Sequence, residues 1–237
     1  MIERRQFQHL GQFSNDWLSA RYHFSFADYH HDARMGCGVL RVWNDDAIQP
    51  GTGFNPHSHR DMEIVTYIRQ GAITHHDSLG NVGRTEAGQV QVMSAGRGIT
   101  HAEYNRESEI TTLFQIWLLP RQRGLPARWE TRPFPRQQGK MQLLASGWPE
   151  DGDMPQIHAD ARVWGVTLAD GQQIHHELGQ SAAYLVPCLG TLLVNDTTLQ
   201  PRDGAVIQDE PVLTLTAQGM VECVMVELPR QAYTTSR

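Results

Sequence analysis

The sequence predicts an all-β protein with few and short helices. Segments rich in valine, isoleucine, leucine, threonine and aromatic residues recur along the 237 residues, separated by glycine, asparagine, aspartate or proline. No segment keeps an apolar period of 3.6 residues over several turns, which argues against long amphipathic helices. Many short strands at turn-punctuated intervals are typical of a β-sandwich or β-barrel. The predicted strands are Val39–Trp43, Glu63–Ile68, Val90–Met93, Thr111–Leu118, Val163–Leu168, Ala183–Val186, Thr191–Val194, Ala205–Ile207, Val212–Thr216 and Val221–Leu228.

The two halves of the chain repeat one pattern. In the first half a strand that ends at Ile68 is followed by Gly71, and Gly88 precedes another apolar strand. In the second half Gly190 and Gly204 take the same places relative to their strands. This repetition predicts a duplicated domain.

A proline-rich segment separates the halves. It has prolines at positions 120, 126, 133 and 135 together with several arginines, a composition that suits an extended connector better than a ladder strand. Trp129 and Phe134 within it are expected to hold the segment against a domain. We therefore predict an N-terminal barrel over 1–122, a connector over 123–139 and a C-terminal barrel over 140–237.

Composition and charge exclude several classes of protein. The formal net charge is −6 at pH 7, so no general attraction to nucleic acid or anionic lipid is expected. The N-terminal stretch MIERRQFQHL is charged and lacks the apolar run of a signal peptide. No stretch approaches the ~18 apolar residues of a membrane-spanning helix. A cytoplasmic protein with no direct nucleic-acid partner and no membrane partner is expected.

Two pairs of residues are candidates for a metal site. His57 and His59 stand two positions apart, as do His101 and Glu103. Side chains two apart on a strand project from the same face. Two such pairs on facing strands of a barrel would bring three imidazoles and one carboxylate to one point. Neutral imidazoles suit Fe, Ni, Cu, Mn or Zn, and positions left open for water or substrate would make the site catalytic.

Other ionisable residues leave alternatives open. On a regular strand Glu63 would share the inward face of His57 and His59. The neighbours His75 and His76 are expected to face opposite sides, with the inward one a hydrogen-bonding group more often than a ligand. His175 and His176 are also adjacent, and no histidine follows Gly204 as His101 follows Gly88. The second barrel is therefore expected to be metal-free.

The spacing of the first pair favours a metal site over the commoner surface or hydrogen-bonded pair of histidines. The stretch from Gly51 to Glu63 resembles the cupin motif G-x5-H-x-H-x3-E, with His57 and His59 at its two histidine positions. In that general pattern Glu63 would be the carboxylate ligand.

The second pair lies in a stretch that resembles the other cupin motif, G-x5-P-x-G-x2-H-x3-N. Gly88, Gly96, His101 and Asn105 correspond to its fixed positions. Ser94 stands where the motif has proline, and two extra residues separate Gly96 from His101.

With these departures and a set of further short motifs, the sequence resembles the pirin family of bicupins. The shared motifs keep their order and spacing from about Trp17 to about Trp117 and continue more thinly to the end of the chain. The resemblance implies two tandem cupin (jelly-roll-like) β-barrels with the metal site in the first. The motifs are Trp17-Leu18, His23-Phe24-Ser25-Phe26, Leu40-Arg41-Val42, Asn44-Asp45-Asp46, Asp77-Ser78-x-Gly80-Asn81, Met93-Ser94-Ala95-Gly96-x-Gly98-Ile99 and Gln115-Ile116-Trp117.

The resemblance also implies a ligand set and an activity. The metal ligands would be His57, His59, His101 and Glu103, holding one divalent transition metal, with iron the first choice and Ni, Mn, Cu and Zn the alternatives. Several pirin-like bacterial proteins are described as quercetin 2,3-dioxygenases, so a flavonoid substrate and O2 are expected. Glu103 or Glu63 would accept the proton of the flavonol 3-hydroxyl.

Two other functions remain open at this point. Animal pirins are regarded as iron-dependent transcriptional co-regulators, which would act through a protein partner without turnover. A cupin isomerase or other non-redox lyase would need only a Lewis-acid metal. Whether the chain is a monomer or a dimer is also left open.

Overall fold

Antiparallel β-strands make up nearly all of the regular structure. The computed structural model describes residues 1–134 and 137–229. Within these ranges the only helices are short 3-10 turns at Phe7–His9, Asp32–Arg34 and Pro149–Asp151. The all-β prediction with few short helices is confirmed. The strands are β1 (Ile2–Arg5), β2 (Gly11–Ser14), β3 (Leu18–Tyr22), β4 (Leu40–Ile48), β5 (Gly53–His59), β6 (Glu63–Gln70), β7 (Ala72–Asp77), β8 (Val82–Glu86), β9 (Gln89–Ser94), β10 (Ile99–Tyr104), β11 (Thr111–Leu118), β12 (Arg128–Pro133), β13 (Gln142–Ser146), β14 (Arg162–Leu168), β15 (Gln173–Glu177), β16 (Ala182–Val194), β17 (Thr197–Leu199), β18 (Gly204–Ile207) and β19 (Val212–Leu228).

The first half of the chain forms two sheets. One has seven strands in the order β12-β9-β6-β11-β4-β3-β2, and the other has four in the order β5-β10-β7-β8. Strands β4, β6 and β11 are buried on both faces, because apolar or hydrogen-bonded residues occupy nearly every position.

The second half forms one eight-stranded sheet in the order β1-β18-β16-β19-β14-β13, with β15 on β19 and β17 on β16. Here the prediction of separate strands around Gly190 is wrong. β16 continues from Ala182 to Val194, and its register against β19 shifts on either side of Leu189. Gly190 has a φ of +73°, so it forms a bulge inside one long strand rather than a turn between two.

The proline-rich segment also differs from its prediction. Arg128–Pro133 is a ladder strand, β12, which pairs with β9 at the edge of the seven-stranded sheet. A proline is tolerated there because Pro133 is the last residue of an edge strand. Trp129 and Phe134 pack against the cores as expected, and Phe134 stacks on Tyr67 with ring centroids 5.5 Å apart. Pro135 lies outside the described residues.

The largest hydrophobic core lies between the halves. Trp43 and Phe114 of the seven-stranded sheet contact each other, and Tyr184 of the second half packs against Trp43 with centroids 5.5 Å apart. The Tyr184 hydroxyl also lies 2.8 Å from Nδ1 of the buried His23. One face of the seven-stranded sheet is thus covered by the second half, and the other face is left for the first barrel's interior.

The N-terminal strand joins the sheet of the opposite half. β1 pairs with β18, and Arg4 forms an ion pair with Asp203 at 2.7 Å. The division at residues 122 and 139 stays a prediction, and the second sheet includes residues 2–5 from outside the range 140–237. None of the helices in the described ranges has the length and hydrophobicity of a membrane-spanning helix.

Candidate metal centre

Two hydrogen-bonded strands supply the predicted ligands. β5 and β10 are antiparallel neighbours in the four-stranded sheet, with His57 directly opposite His101. The two pairs therefore lie on adjacent strands of one sheet, and the expectation of facing strands is wrong. The strands approach closely at Gly53, where an added Cβ would collide with the backbone carbonyl of Glu103. Side chains alternate between the two faces of β5 as expected, because His57 and His59 are half-buried while Ser58 is exposed.

The three histidines converge on one point. The ring centroids of His57 and His101 are 4.4 Å apart, those of His57 and His59 are 4.8 Å apart, and those of His59 and His101 are 5.0 Å apart. One ring nitrogen from each lies within 4.8 Å of the others. His101 is buried and occupies the floor of the site.

Hydrogen bonds to the ring nitrogens fix how two of these imidazoles are protonated. Nδ1 of His57 lies 2.8 Å from the backbone carbonyl of Asn55, so it donates its proton there and leaves Nε2 with a lone pair. Nε2 of His75 donates to Oδ2 of Asp77 at 3.0 Å. In a neutral His75 the remaining Nδ1 accepts from Nδ1 of His101, 3.4 Å away. Nε2 of His101 is then an unprotonated acceptor.

The environment favours neutral imidazoles. Burial, with the neighbouring imidazoles, lowers the pKa of His59 to about 4 and that of His101 to about 3. Both rings are therefore unprotonated near pH 7. This is the form in which histidine binds a metal.

Two glutamines hold Glu103. Nε2 of Gln91 donates to Oε1 of Glu103 and Nε2 of Gln115 donates to Oε2, each at 2.6 Å. Glu103 is 1% exposed and forms a second group of potential ligands with His75 and His101, whose atoms also lie within 4.8 Å of one another. The two groups share His101, but Glu103 is not grouped with His57 and His59.

Asp77 was missed as part of the site, whereas the inward-facing histidine of the pair His75/His76 was expected to be a hydrogen-bonding group. His75 is fully buried while His76 is exposed, which confirms that the adjacent pair faces opposite sides. The ring of His75 stacks on Trp129 with centroids 4.8 Å apart and an interplanar angle of 11°. Backbone and side-chain donors from Leu79 and Asn81 hold the Asp77 carboxylate, and together with His75 they lower its pKa against the opposing effect of burial. The spacing of His75 and Asp77, two apart on a strand, was a signal that could have identified them.

Glu63 lies elsewhere. The premise of a regular strand from His57 to Glu63 is wrong, because β5 ends at His59 and β6 begins at Glu63 in a different sheet. The Glu63 carboxylate accepts hydrogen bonds from the Ser94 hydroxyl at 2.6 Å and from the backbone N–H of His158 at 3.1 Å. Burial raises its pKa, against those hydrogen bonds. Glu63 is not part of either ligand group.

A cavity of about 160 Å³ opens beside the histidines. His57 and His59 form part of its wall, and Trp117 lies edge-on to His59 with ring centroids 4.9 Å apart. Asn44 and Asp46 on β4 also line it, and sequence reasoning gave neither a role. Burial, followed by the charges of Asp45 and Glu103, raises the pKa of Asp46 well above its usual value. The complete lining is Leu18, Ala20, Tyr22, Phe26, Asn44, Asp46, Phe54, His57, His59, Gln115 and Trp117.

The residues fit a bound transition metal. Nε2 of His101 is buried and has no hydrogen-bond partner among the described residues, although a buried ring nitrogen ordinarily finds one. The three imidazoles of His57, His59 and His101 form a donor set that Fe, Ni, Cu, Mn and Zn all accept. In the second half, His175 and His176 instead contact Thr214 and Glu227 from opposite faces of β15. Both ligand groups found in the described part of the chain belong to the first half.

Comparison with known proteins agrees with this architecture. Residues 3–118 match the family model described as Pirin, and residues 143–228 match the model described as Quercetinase C-terminal cupin domain. A Caulobacter vibrioides protein named Pirin-like protein is 53% identical over 230 residues, which cover 96% of this chain and 99% of that protein. This chain belongs to the pirin family. The resemblance predicted from its motifs is confirmed.

Two Escherichia coli relatives add detail about the family. A protein of strain K12 named Quercetin 2,3-dioxygenase is 38% identical over 232 residues, covering 97% of this chain and 99% of that protein. The crystal structure of the bacterial pirin YhhW in complex with nickel(II) matches with a TM-score of 0.91 and 36% identity, over 97% of this chain and 99% of that chain. The bicupin fold is therefore confirmed, and the family includes a member solved with a transition metal.

Proposed function

We propose that this protein is a metal-dependent dioxygenase that opens the heterocycle of a flavonol such as quercetin, or of a related phenolic. One flavonol and one O2 would yield one depside and one carbon monoxide. The observation that carries the proposal is an aromatic-lined cavity beside three converging imidazoles, two of which are held neutral by their lowered pKa. The quercetinase cupin match and the relative named Quercetin 2,3-dioxygenase support the same chemistry.

The proposed ligands are His57, His59, His101 and Glu103, with iron the first choice of metal and Ni, Mn, Cu and Zn the alternatives. When bound, the metal would supply Lewis acidity toward a substrate oxygen and redox chemistry toward O2. His57 and His101 would present Nε2, since Nδ1 of each donates to another group.

Glu103 is the proposed proton acceptor for the flavonol 3-hydroxyl. Each of its carboxylate oxygens accepts one short hydrogen bond from a glutamine and keeps a second lone pair. Gln91 and Gln115 hold the carboxylate in place, so its position would not depend on the substrate. Glu63 was the other candidate, but its hydrogen bonds to Ser94 and His158 and its absence from both groups of potential ligands favour Glu103.

The cavity walls would orient the substrate and exclude water. Phe26 lies edge-on to Trp117 with centroids 5.5 Å apart, and Phe54 is 6.2 Å from His57. Aromatic surfaces at these positions would hold a flat ligand against the histidines. Exclusion of water would also protect a reactive intermediate from hydrolysis.

The test combines metal analysis with oxygen uptake. The protein is purified anaerobically, its metal content is measured, and O2 uptake with and without quercetin is recorded on Fe-, Ni- and Mn-loaded samples. Uptake at one metal per chain, stoichiometric with flavonol loss, is the expected result. His101→Ala should lose both metal and turnover, while His76→Ala, an exposed histidine on the neighbouring strand, should retain both.

Three outcomes would contradict the proposal. Dioxygenase activity in metal-free His101→Ala protein would remove the metal from the mechanism. One bound metal without O2 uptake on any phenolic would favour the redox-sensing co-regulator, to be pursued by a metal-dependent pull-down of a protein partner. Turnover that survives strict anaerobiosis with Zn would indicate a non-redox isomerase or lyase.

A further inference from the structure

The cavity beside the histidines is small and mostly apolar. Its volume is about 160 Å³, close to that of an engineered cavity of about 150 Å³ that binds benzene. A space of this size takes one six-membered ring. A tricyclic flavonol would therefore place one ring inside and leave the others at the opening beside His57 and His59.

Two acceptors in the wall of this cavity are unpaired. Oδ1 of Asn44 and Oδ1 of Asp46 are buried and have no hydrogen-bond partner in the ranges that the structure describes. The residues are 4% and 2% exposed and stand two apart on β4, so both project from the face that lines the cavity. A buried polar group without a hydrogen-bond partner destabilises the folded protein, so a ligand that pairs with it gains affinity.

Two neighbouring polar side chains are satisfied. On the same wall Gln115 donates to Glu103 and accepts from Nε1 of Trp117 at 3.1 Å. On the opposite face of β4, Asp45 forms ion pairs with Arg69 and Arg202. Other buried nitrogens of this sheet are also unpaired in the described ranges, but each is a donor and its residue does not line the cavity; they belong to Trp43, Arg69, Arg128 and Trp129. Asn44 and Asp46 differ from them because they carry unpaired acceptors and line the cavity.

We propose that the cavity is a subsite for one hydroxylated aromatic ring, with Asn44 and Asp46 as its specificity-determining residues. The ring lies among Phe26, Phe54 and Trp117, and its hydroxyl groups donate to Oδ1 of Asn44 and Oδ1 of Asp46. The link to catalysis rests on the proposed function, because the bound ring would be part of the phenolic substrate.

The unpaired acceptors in the cavity wall favour a ligand that carries a hydroxyl group. An unsubstituted ring fills the space but leaves both acceptors unpaired, and sites built to pair a hydroxyl discriminate against analogues that lack it. A carboxylate would meet the charge of Glu103 and the acceptor atoms of the wall. A hydroxyl both donates and accepts, so it can pair with Asp46 whether that carboxyl is ionised or protonated.

The experiment measures binding of small probes to the full-length protein as purified. Dissociation constants for phenol, resorcinol, benzene and benzoate are determined by ligand-observed NMR. Resorcinol is used because its 1,3-hydroxyls do not chelate a metal as vicinal hydroxyls do. One recovered hydrogen bond corresponds to about a tenfold change in affinity, so phenol should bind about tenfold more tightly than benzene, and benzoate more weakly than phenol.

Variants assign the preference to the two residues. Asn44→Leu and Asp46→Leu each remove one acceptor while keeping a branched side chain. Because each of resorcinol's two hydroxyls would pair with one acceptor, each variant should weaken resorcinol binding about tenfold. Asp46→Asn retains a carbonyl acceptor and should keep the wild-type affinity for resorcinol. Asp16→Asn, at an exposed aspartate, should change nothing.

The outcomes separate this proposal from the proposed function. Equal affinity of the wild-type protein for phenol and benzene would overturn the subsite without any variant. Undiminished affinity for resorcinol in both leucine variants would also overturn it. Flavonol turnover without a phenol preference would reject the subsite alone. A phenol preference without turnover would leave the subsite standing and reject the dioxygenase.

Discussion

Asp45 and Asp46 are consecutive residues of β4 whose carboxylates lie on opposite faces of the seven-stranded sheet. Oδ2 of Asp45 is 2.5 Å from Nε of Arg202, a residue of the second half, and Oδ1 pairs with Arg69. Asp46 lines the cavity beside His57. One strand therefore links the contact between the halves to the wall of the proposed substrate site.

Asp45 is predicted to be essential for stability. It is fully buried, and its removal leaves Arg69 buried without its carboxylate partner. Breaking a buried ion pair by removing one partner typically costs about 3–5 kcal/mol. Arg202 is partly exposed, so Asp45→Ala should lower the free energy of unfolding by about 3 kcal/mol, measured by urea denaturation at pH 7. Asp16→Ala serves as the exposed control, and a loss below about 1 kcal/mol would contradict the ion pair's role.

Replacement of Asp46 is predicted to stabilise the folded protein, whereas replacement of Asp45 destabilises it. Its folded-state pKa is raised by burial and by the charges of Asp45 and Glu103, so its ionised form destabilises the folded protein. This penalty is complete above the folded pKa and disappears as pH falls to the unfolded value near 3.8. Asp46→Asn should therefore raise the free energy of unfolding by about 1–2 kcal/mol at pH 7.5 and by less near pH 4. A gain that is equal at both pH values would argue against relief of a buried charge.

The candidate site can be predicted from the sequence wherever residues two apart on a strand keep their side chains on the same face. The pairs His57/His59 and His101/Glu103 keep their shared faces because β5 and β10 are regular over those residues, apart from a bulge after His101. The prediction that Glu63 shares a face with the histidines failed, because the chain turns between two sheets at Arg60–Met62. A positive φ of 49° at Asp61 accompanies this turn, and an aspartate, which tolerates that conformation, is the turn signal that the sequence gives there.

The strands that sequence reasoning missed are mostly polar or short. β5 carries the sequence GFNPHSH and β8 the sequence VGRTE, neither of which has an apolar face that alternation would detect. Such strands form because neighbouring strands pair with them and not because of their own propensity. β12 was missed because the prolines in and around it indicated a connector, whereas an edge strand that pairs with β9 tolerates Pro133 at its end. The two apolar faces of β4, β6 and β11 made the central strands easier to predict.

Gln91 and Gln115 are predicted to strengthen metal binding without touching the metal. Both donate to Glu103 at 2.6 Å and so hold the carboxylate that is proposed as a ligand. Removal of groups that orient metal ligands typically weakens affinity by about 10–100-fold. Gln91→Leu and Gln115→Leu should each raise the Kd for Ni(II) by such a factor in isothermal titration. Gln218→Leu, at an exposed glutamine, is the control, and unchanged affinity in both variants would remove Glu103 from the proposed ligand set.

His75 is predicted to set the protonation of His101. The chain of hydrogen bonds from Asp77 through His75 keeps the His101 proton on Nδ1 and leaves Nε2 free. In the metal-free protein, ¹⁵N NMR of the imidazoles should show His101 protonated at Nδ1. His75→Leu should move the proton toward Nε2 and weaken Ni(II) binding by about 10–100-fold, because the ligand atom must then lose a proton. His75→Gln, whose carbonyl oxygen can accept from Nδ1, should preserve both properties. Protonation of His101 at Nε2 in the wild-type protein, or full metal affinity in His75→Leu, would refute this role.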